Sequence, residues 1–532
     1  MSKVKVKVPG YSGFRKSFQN LLTSKVGTIT PILIDEIVPN TKISLKDVIS
    51  ASLPPLASDT FMRCNLKVEA FFIPMRLLYG GFEDWLTGQE RHIDGESDYP
   101  VSIPSVWIPD FSTESLVASG TLADYLGVRI PVDHRDNDSL LLNILPFLAY
   151  HRVYHDWYRN PLIQKDVFYR PVAQDSNTFN LSTLPYASYV EDVASGYSAQ
   201  QFSLGDSFYD GVKLGELRQR NFGADYFTTS LPDSQLGKAK GVVMSTIPEG
   251  GNGFTIAALR MANSLQQFAE RNQLAGPRLQ DFVRANYGAD LSSGVAQRSI
   301  VLGSAEIPVY SKGIYSQTNN NLSNTQNPFG QTVGAEYGSA SAVGTIDLVN
   351  DFTAAEPGYL LVNATLVPKV TYSSGIHPLM TRYCHGAATN VEMATPLLEN
   401  TGFEKVKRSE LTGQPHDEAN VFGYVQRYAS FKTRFDELHG LLRDGETLQS
   451  FALQRTVLGA PTISSDFLQI PTDFLDQVAA VKGDISKYGV WIDCFHDYNV
   501  AMPLSEFSIP SLQDPAYEHG RDVELNPMGQ AL

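Results

Sequence analysis

The stretch Val490-Trp-Ile-Asp-Cys-Phe-His-Asp-Tyr-Asn-Val-Ala-Met502, followed at once by Pro503, decides the fold class. Val490, Ile492, Cys494, Tyr498, Val500 and Met502 fall on one side of a period of two, and Asp493, Asp497 and Asn499 on the other. Successive side chains of a β-strand point to opposite faces, so this alternation describes a half-buried antiparallel strand. Its aromatic and β-branched content agrees. Val421 to Phe435 reads as a second strand. Working outward, Gly27 to Pro39 reads as a strand closed by a Pro-Asn turn. Arg63 to Pro74 alternates Cys64, Leu66, Val68, Ala70 and Phe72 on one face and also ends at proline.

Helical pieces are fewer. Phe82 to Leu86 and Leu140 to Tyr158 have helical patterning. From the N-cap residue Thr255, a stripe of Leu259, Ala262, Leu265, Phe268 and Ala269 predicts a helix that stops at Gly276-Pro277. Arg278 to Asn286 predicts another, ended by Tyr287-Gly288. Two segments stand apart. Residues 171–253 are rich in Ser, Tyr, Asp and Gly, and residues 316–350 in Asn, Gln, Gly and Ser, with weak periodicity in both. Long polar excursions of this kind belong on the surface.

The composition of the 532 residues, 42% hydrophobic and 19% charged, is that of a globular protein, and 41 Gly and 30 Pro imply many turns. No apolar run approaches the roughly 20 residues of a membrane span, so no membrane insertion is expected. The start, Met1-Ser-Lys-Val-Lys, lacks the apolar region of a secretory signal. Cys64, Cys384 and Cys494 are odd in number and far apart, which fits neither a disulfide framework nor a metal-spacing motif and suits a reducing cytoplasm.

Charge is uneven. Before Asp35 there is no acid, yet Lys3, Lys5, Lys7, Arg15, Lys16 and Lys25 are all present; the remainder holds 36 bases against 57 acids, a charge near −21. A basic arm over residues 1–26 on an acidic body predicts a local polyanion contact. Tyr11, Phe14 and Phe18 interleave with Arg15 and Lys16 and could stack on unpaired bases. The plainer alternative is a solvated tail, or an arm tucked under a neighbouring subunit.

Several stretches in order carry a resemblance: Gly27 to Pro39, Phe71-Phe-Ile-Pro-Met-Arg-Leu-Leu78, Leu145 to Asn160, Leu259-Arg-Met-Ala-Asn263, Phe422-Gly-Tyr-Val-Gln-Arg-Tyr-Ala429 and the closing strand Cys494 to Pro503. Together they resemble the major capsid protein of microviruses, the small icosahedral phages with circular single-stranded DNA, and the long central insertion is similar to the gokushovirus branch. That resemblance implies one eight-stranded antiparallel jelly roll over residues 27–512 with very long, helix-containing loop insertions, followed by a tail over 513–532. It implies a T=1 shell of sixty copies meeting at five-, three- and two-fold axes, with the N-terminal region facing the genome. It also implies a small basic DNA-binding protein as partner, which the acidic body makes more necessary, and projections at the three-fold axes. The 171–253 excursion is the expected projection, with Tyr186, Tyr189, Tyr197, Phe202, Phe208 and Tyr209 as aromatic surface shared between copies and presented to a host receptor. The setting that the resemblance implies is a virion made in a bacterial cytoplasm.

Catalytic and metal motifs are weak, and neither cofactor nor metal is expected. His151 and His155 stand at i and i+4, as in zinc proteases, but Arg152 occupies the place of the general base. Asp133 to Asp138 is rich in oxygen donors without calcium-loop spacing. Gly250-Gly-Asn-Gly253 and Gly237-Lys238 lack the context of nucleotide loops. The competing reading is a carbohydrate-binding or glycan-hydrolysing β-protein, which the 25 tyrosines and long loops would suit but the basic arm would not.

Overall fold

The computed structural model describes residues 4–8, 11–79, 82–87, 103–108, 115–130, 140–168, 201–233, parts of 260–271, 279–288, 297–315, 336–381, 403–480, 489–504 and 521–525. Ten strands build two antiparallel sheets: β1 (Ser12–Arg15), β2 (Phe18–Ser24), β3 (Thr30–Ile37), β4 (Lys42–Ser52), β5 (Cys64–Pro74), β6 (Ile300–Pro308), β7 (Tyr310–Tyr315), β8 (Glu336–Thr353), β9 (Gly358–Pro368) and β10 (Val490–Met502). The first sheet runs β7-β8-β4-β10-β1, with β2 continuing along β10; the second runs β6-β5-β9-β3. Only Val309 separates β6 from β7, so the chain bends there from one sheet into the other.

The sheets share one core. Ile43, Leu45, Ile49, Ile492, Cys494, Tyr498 and Val500 from the first meet Leu66, Val68, Ala70, Leu360, Val362 and Leu366 from the second. The alternation in β10 is fully realised, since every even-numbered residue from Val490 to Met502 is buried. In β5 the even-numbered positions point into this core, whereas Phe71 and Ile73 point the other way. There they join a second core with Ile29, Tyr359, Leu361 and the helix Leu145–Val153. The second sheet is thus covered on both faces, which is why β9 is buried along its entire length. The first sheet has no such outer layer among the described residues.

Local chemistry corrects several sequence expectations. Residues 12–24 of the expected arm are β1 and β2, laid along β10. The strand expected over Val421–Phe435 ends at Gln426 and pairs with Phe403–Lys407 in a small ribbon outside both sheets. Tyr428 takes φ +63°, and the Glu404 carboxylate accepts from the N–H groups of Tyr428 and Ser430 at 2.9 Å each, fixing the reversal. The helix expected from Leu140 begins at Leu145, with Pro146 in its first turn where a missing N–H is harmless. Leu140–Asn143 is instead a strand against Ser105–Ile108.

The excursion expected over 316–350 is, from Glu336 on, the long strand β8. Its small residues are a packing requirement: a Cβ on Gly344 would press on Ile307 at 3.0 Å, and one on Gly338 would meet the Ser58 carbonyl and Leu56. The helix Phe82–Thr87 and the helix Leu279–Tyr287, ended by Gly288 at φ +68°, follow the expectation. Of the Thr255 helix, Arg260, Asn263, Ser264, Gln267, Phe268 and Arg271 are helical and the rest lies outside the described residues. No described helix is long and apolar enough to cross a membrane.

Candidate functional surfaces

The basic N-terminal residues are separated by the fold. Lys5 and Lys7 lie in the strand Val4–Val8, which pairs with Arg521–Leu525, and in register they stand opposite Glu524 and Asp522. Arg15 pairs with Asp497 at 3.3 Å, and Lys16 with Asp35. Lys25 is exposed, and Lys3 lies outside the described residues. Of the aromatic candidates, Tyr11 is exposed beneath the Lys42 ammonium, 5.6 Å from its ring centre. Phe18 is exposed at the sheet edge, its ring 4.9 Å from that of His496, and Phe14 is half-buried against the core. Arg15 and Lys16 are thus engaged by carboxylates of the chain itself.

The expected projection divides in a similar way. Tyr186, Tyr189 and Tyr197 lie outside the described residues. Phe202 falls in the two-residue strand Gln201–Phe202, parallel to Ser105–Ile108, and Tyr209 is half-buried with its N–H on the Val167 carbonyl at 3.1 Å. Phe208 cannot belong to an outward-facing set: it is 3% exposed, with its ring 4.4 Å from His151 and edge-on to Phe168 at 5.7 Å.

Residues 204–231 are tied into the frame. The N–H of Ile29 reaches the Arg218 carbonyl at 2.9 Å, and that of Arg220 reaches Gly27 at 2.7 Å, which stitches the segment to the start of β3. Arg220 pairs with Glu69 (3.0 Å for one contact), and Leu214, Phe222 and Phe227 fill the two cores.

The histidine pair has a structural role. His151 Nδ1 accepts from Arg218 Nε at 2.8 Å, so Nε2 carries the proton and donates to the Leu214 carbonyl at 2.9 Å. Burial, then the Arg218 charge, keeps its pKa well below the usual histidine value, and the ring stays neutral. His155 spends both nitrogens on Asp156 (3.0 Å) and Asp166 (3.1 Å). Asp156 is the centre of this knot: its Oδ2 accepts from Arg152 Nε at 3.0 Å and from Ser299 N and Oγ at 2.9 and 2.8 Å. Burial alone would raise its pKa, but Arg152 and the hydrogen bonds hold it well below the carboxylate range. Asp133 to Asp138 lies outside the described residues.

One cluster escaped the sequence reading. Asp47 on β4 stands opposite His496 on β10, with Oδ1 2.7 Å from Nδ1 and Cys494 Sγ 3.7 Å from the same nitrogen. These donor types suit a transition metal, and all three are buried in the sandwich. The short Asp47–His496 contact is that of a hydrogen-bonded pair. Burial, then Asp47 and Asp493, raise the Cys494 pKa, so the thiol stays protonated. The one available signal was Cys494-x-His496 on the buried face of the strand; Asp47 is 449 residues away.

The described residues form a two-sheet sandwich with the 201–233 segment packed into its cores. Comparison with known proteins gives the class. The family model described as capsid protein (F protein) matches residues 2–251 and 249–512, so the chain belongs to that capsid protein family and is a structural protein of the microvirus type. Among its relatives, capsid protein VP1 of Bdellovibrio phage phiMH2K is 24% identical, covering 94% of this chain and 95% of that protein. VP1 of Chlamydia phage 1 is 22% identical over 94% and 96%, and VP1 of Spiroplasma virus 4 is 22% identical over 96% and 99%. These gokushovirus-like relatives agree with the resemblance in the sequence.

Proposed function

We propose that the chain is the major shell subunit of a T=1 icosahedral particle, sixty copies of which enclose a circular single-stranded DNA genome. The observation that carries this reading is the capsid-family match from residue 2 to 512, together with the strand order. Taking β1 with β2 as one edge strand and β6 with β7 as one bent strand leaves eight strands, in sheets ordered β1/β2-β10-β4-β8 and β3-β9-β5-β6. This order supports an eight-stranded antiparallel jelly roll, an architecture common in viral shells.

On this reading the N-terminal segment lies on the inside of the particle. With Arg15 and Lys16 answered by carboxylates and a body charge near −21, most phosphate neutralisation falls to a separate small basic protein. The parts of 171–253 outside the 201–233 segment supply the outer relief and host attachment. The chain performs no catalysis of its own. Cryo-electron microscopy of particles purified from an infected bacterial host tests the proposal. A sixty-copy shell with DNA inside supports it; a shell of another triangulation number, or particles in which this chain is a minor component, refutes it.

A further inference from the structure

We infer that the outer face of the β7-β8-β4-β10-β1/β2 sheet is a subunit contact, covered in the particle by a second copy of this chain. Three cross-strand rows on that face align Thr23, Trp491 and Ser52; Leu21, Asp493, Ser50 and Val343; and Gln19, Phe495, Val48 and Thr345. Leu21 is 70% exposed, Val343 69%, Val48 44%, Trp491 42% and Phe495 41%. Five large apolar side chains on neighbouring positions of one sheet face are more than isolated exposed residues. The opposite sheet has its equivalent face covered by a layer from its own chain; this one does not, among the described residues.

Charge decides between partners. Asp493 is the one charged residue inside the patch, and it is held by Gln19 Nε2 at 2.7 Å. The next rows form a two-signed rim, where Lys46 pairs with Asp347 at 3.2 Å, Arg15 pairs with Asp497 at 3.3 Å, and Lys42 lies over Tyr11. A nucleic acid needs unengaged cations beside the rings to meet its phosphates. Lys46, Arg15 and Lys42 in these rows are engaged, and the exposed Lys312 on the edge strand β7 and Lys25 beyond the end of β2 lie outside the apolar patch. An apolar, charge-poor centre with a rim of both signs is the anatomy of a protein interface. The rim's alternating signs let an identical chain dock without like charges meeting. The family supplies that partner, since a capsid protein assembles with itself.

The inference rests on the shell-forming reading and is tested with it. Val343→Glu and Leu21→Glu, both at exposed positions, are compared with wild type and with the conservative Val343→Ser, all produced with the partner proteins. Circular dichroism and thermal melting of the unassembled chain report folding. Particle yield in each glutamate variant is expected to fall roughly tenfold or more, because each contact then buries an unpaired charge, with melting unchanged and Val343→Ser close to wild type. Where a glutamate variant melts early, a photo-crosslinking amino acid in place of Val343 probes the contact directly: an adduct between two copies of the chain supports it. Normal particle yield from the folded glutamate variants overturns the inference, as does crosslinking to DNA or to a smaller phage protein, or no adduct at all. Failure of the wild type itself to form particles would instead refute the shell-forming reading.

Discussion

Glu410 is almost fully buried, its Oε1 accepting from the Lys407 N–H and its Oε2 from the Tyr226 hydroxyl, both at 3.1 Å. Burial outweighs these bonds and pushes its pKa from 4.5 up to about 7. The folded chain therefore keeps a proton that the unfolded chain has already lost between those pH values. Its contribution is fully present below pH 4.5 and disappears as pH rises through 7. At 1.36 kcal/mol per pKa unit the loss amounts to about 3 kcal/mol. Urea unfolding of the unassembled chain at pH 5 and pH 8 should show that fall, and Glu410→Gln should remove most of it. Asp156 has the opposite sign: Asp156→Asn strips a buried pair from Arg152 and should cost about 3 kcal/mol or more near neutral pH. At this scale the sequence was legible where a face was periodic, as along β10. It was silent where chemistry was assembled from afar, as with Asp47 and His496, because no spacing rule reaches across the chain.

Among the elements, the buried strands were read best where apolar residues alternate with polar ones, and worst where packing demands small side chains. β8 looked like a polar loop because Gly338, Gly344 and the surrounding serines and alanines leave little hydrophobic signal. Those residues are small so that β8 can lie against Ile307 and Ser58. Gly303 tests that reason: it sits at a bulge in β6, where a Cβ would land on the Leu348 carbonyl. Gly303→Val should yield insoluble or early-melting protein, whereas Gly13→Ala, with open space around it, should melt like wild type. The N-terminal segment gives a sharper test. Truncation of residues 1–11 leaves β1 and β2 on β10, while truncation of residues 1–24 strips the edge from the sheet. At about 1 kcal/mol for each net hydrogen bond, the longer truncation should cost several kcal/mol and the shorter one little of the sheet's stability. Equal stability of the two would mean that β2 contributes nothing to the fold.

At the scale of the whole molecule, the two-sheet frame was visible from both ends of the chain, but the division of the central insertion into framework and ornament was not. Turn-rich composition made residues 171–253 look uniformly external, yet composition does not report that Phe208, Leu214, Phe222 and Phe227 close the two cores, or that Arg218 orients His151. Deleting Ser195 to Leu236 is therefore expected to destroy folding altogether, because it removes these core residues and opens both hydrophobic clusters at once. At about 3–5 kcal/mol for each buried phenylalanine lost, the three phenylalanines alone cost about 9–15 kcal/mol, as much as the roughly 5–15 kcal/mol of a typical fold. Replacing residues 175–197 with a short Gly-Ser linker leaves every described contact of 201–233 in place. That variant should give soluble protein and particles of normal size, and on the proposed attachment role those particles should bind host cells poorly. Solubility, electron microscopy and an adsorption assay on the two variants separate the cases. Soluble, assembling protein from the larger deletion would show that the 201–233 segment is dispensable, and normal adsorption by the linker variant would place host recognition elsewhere on the shell.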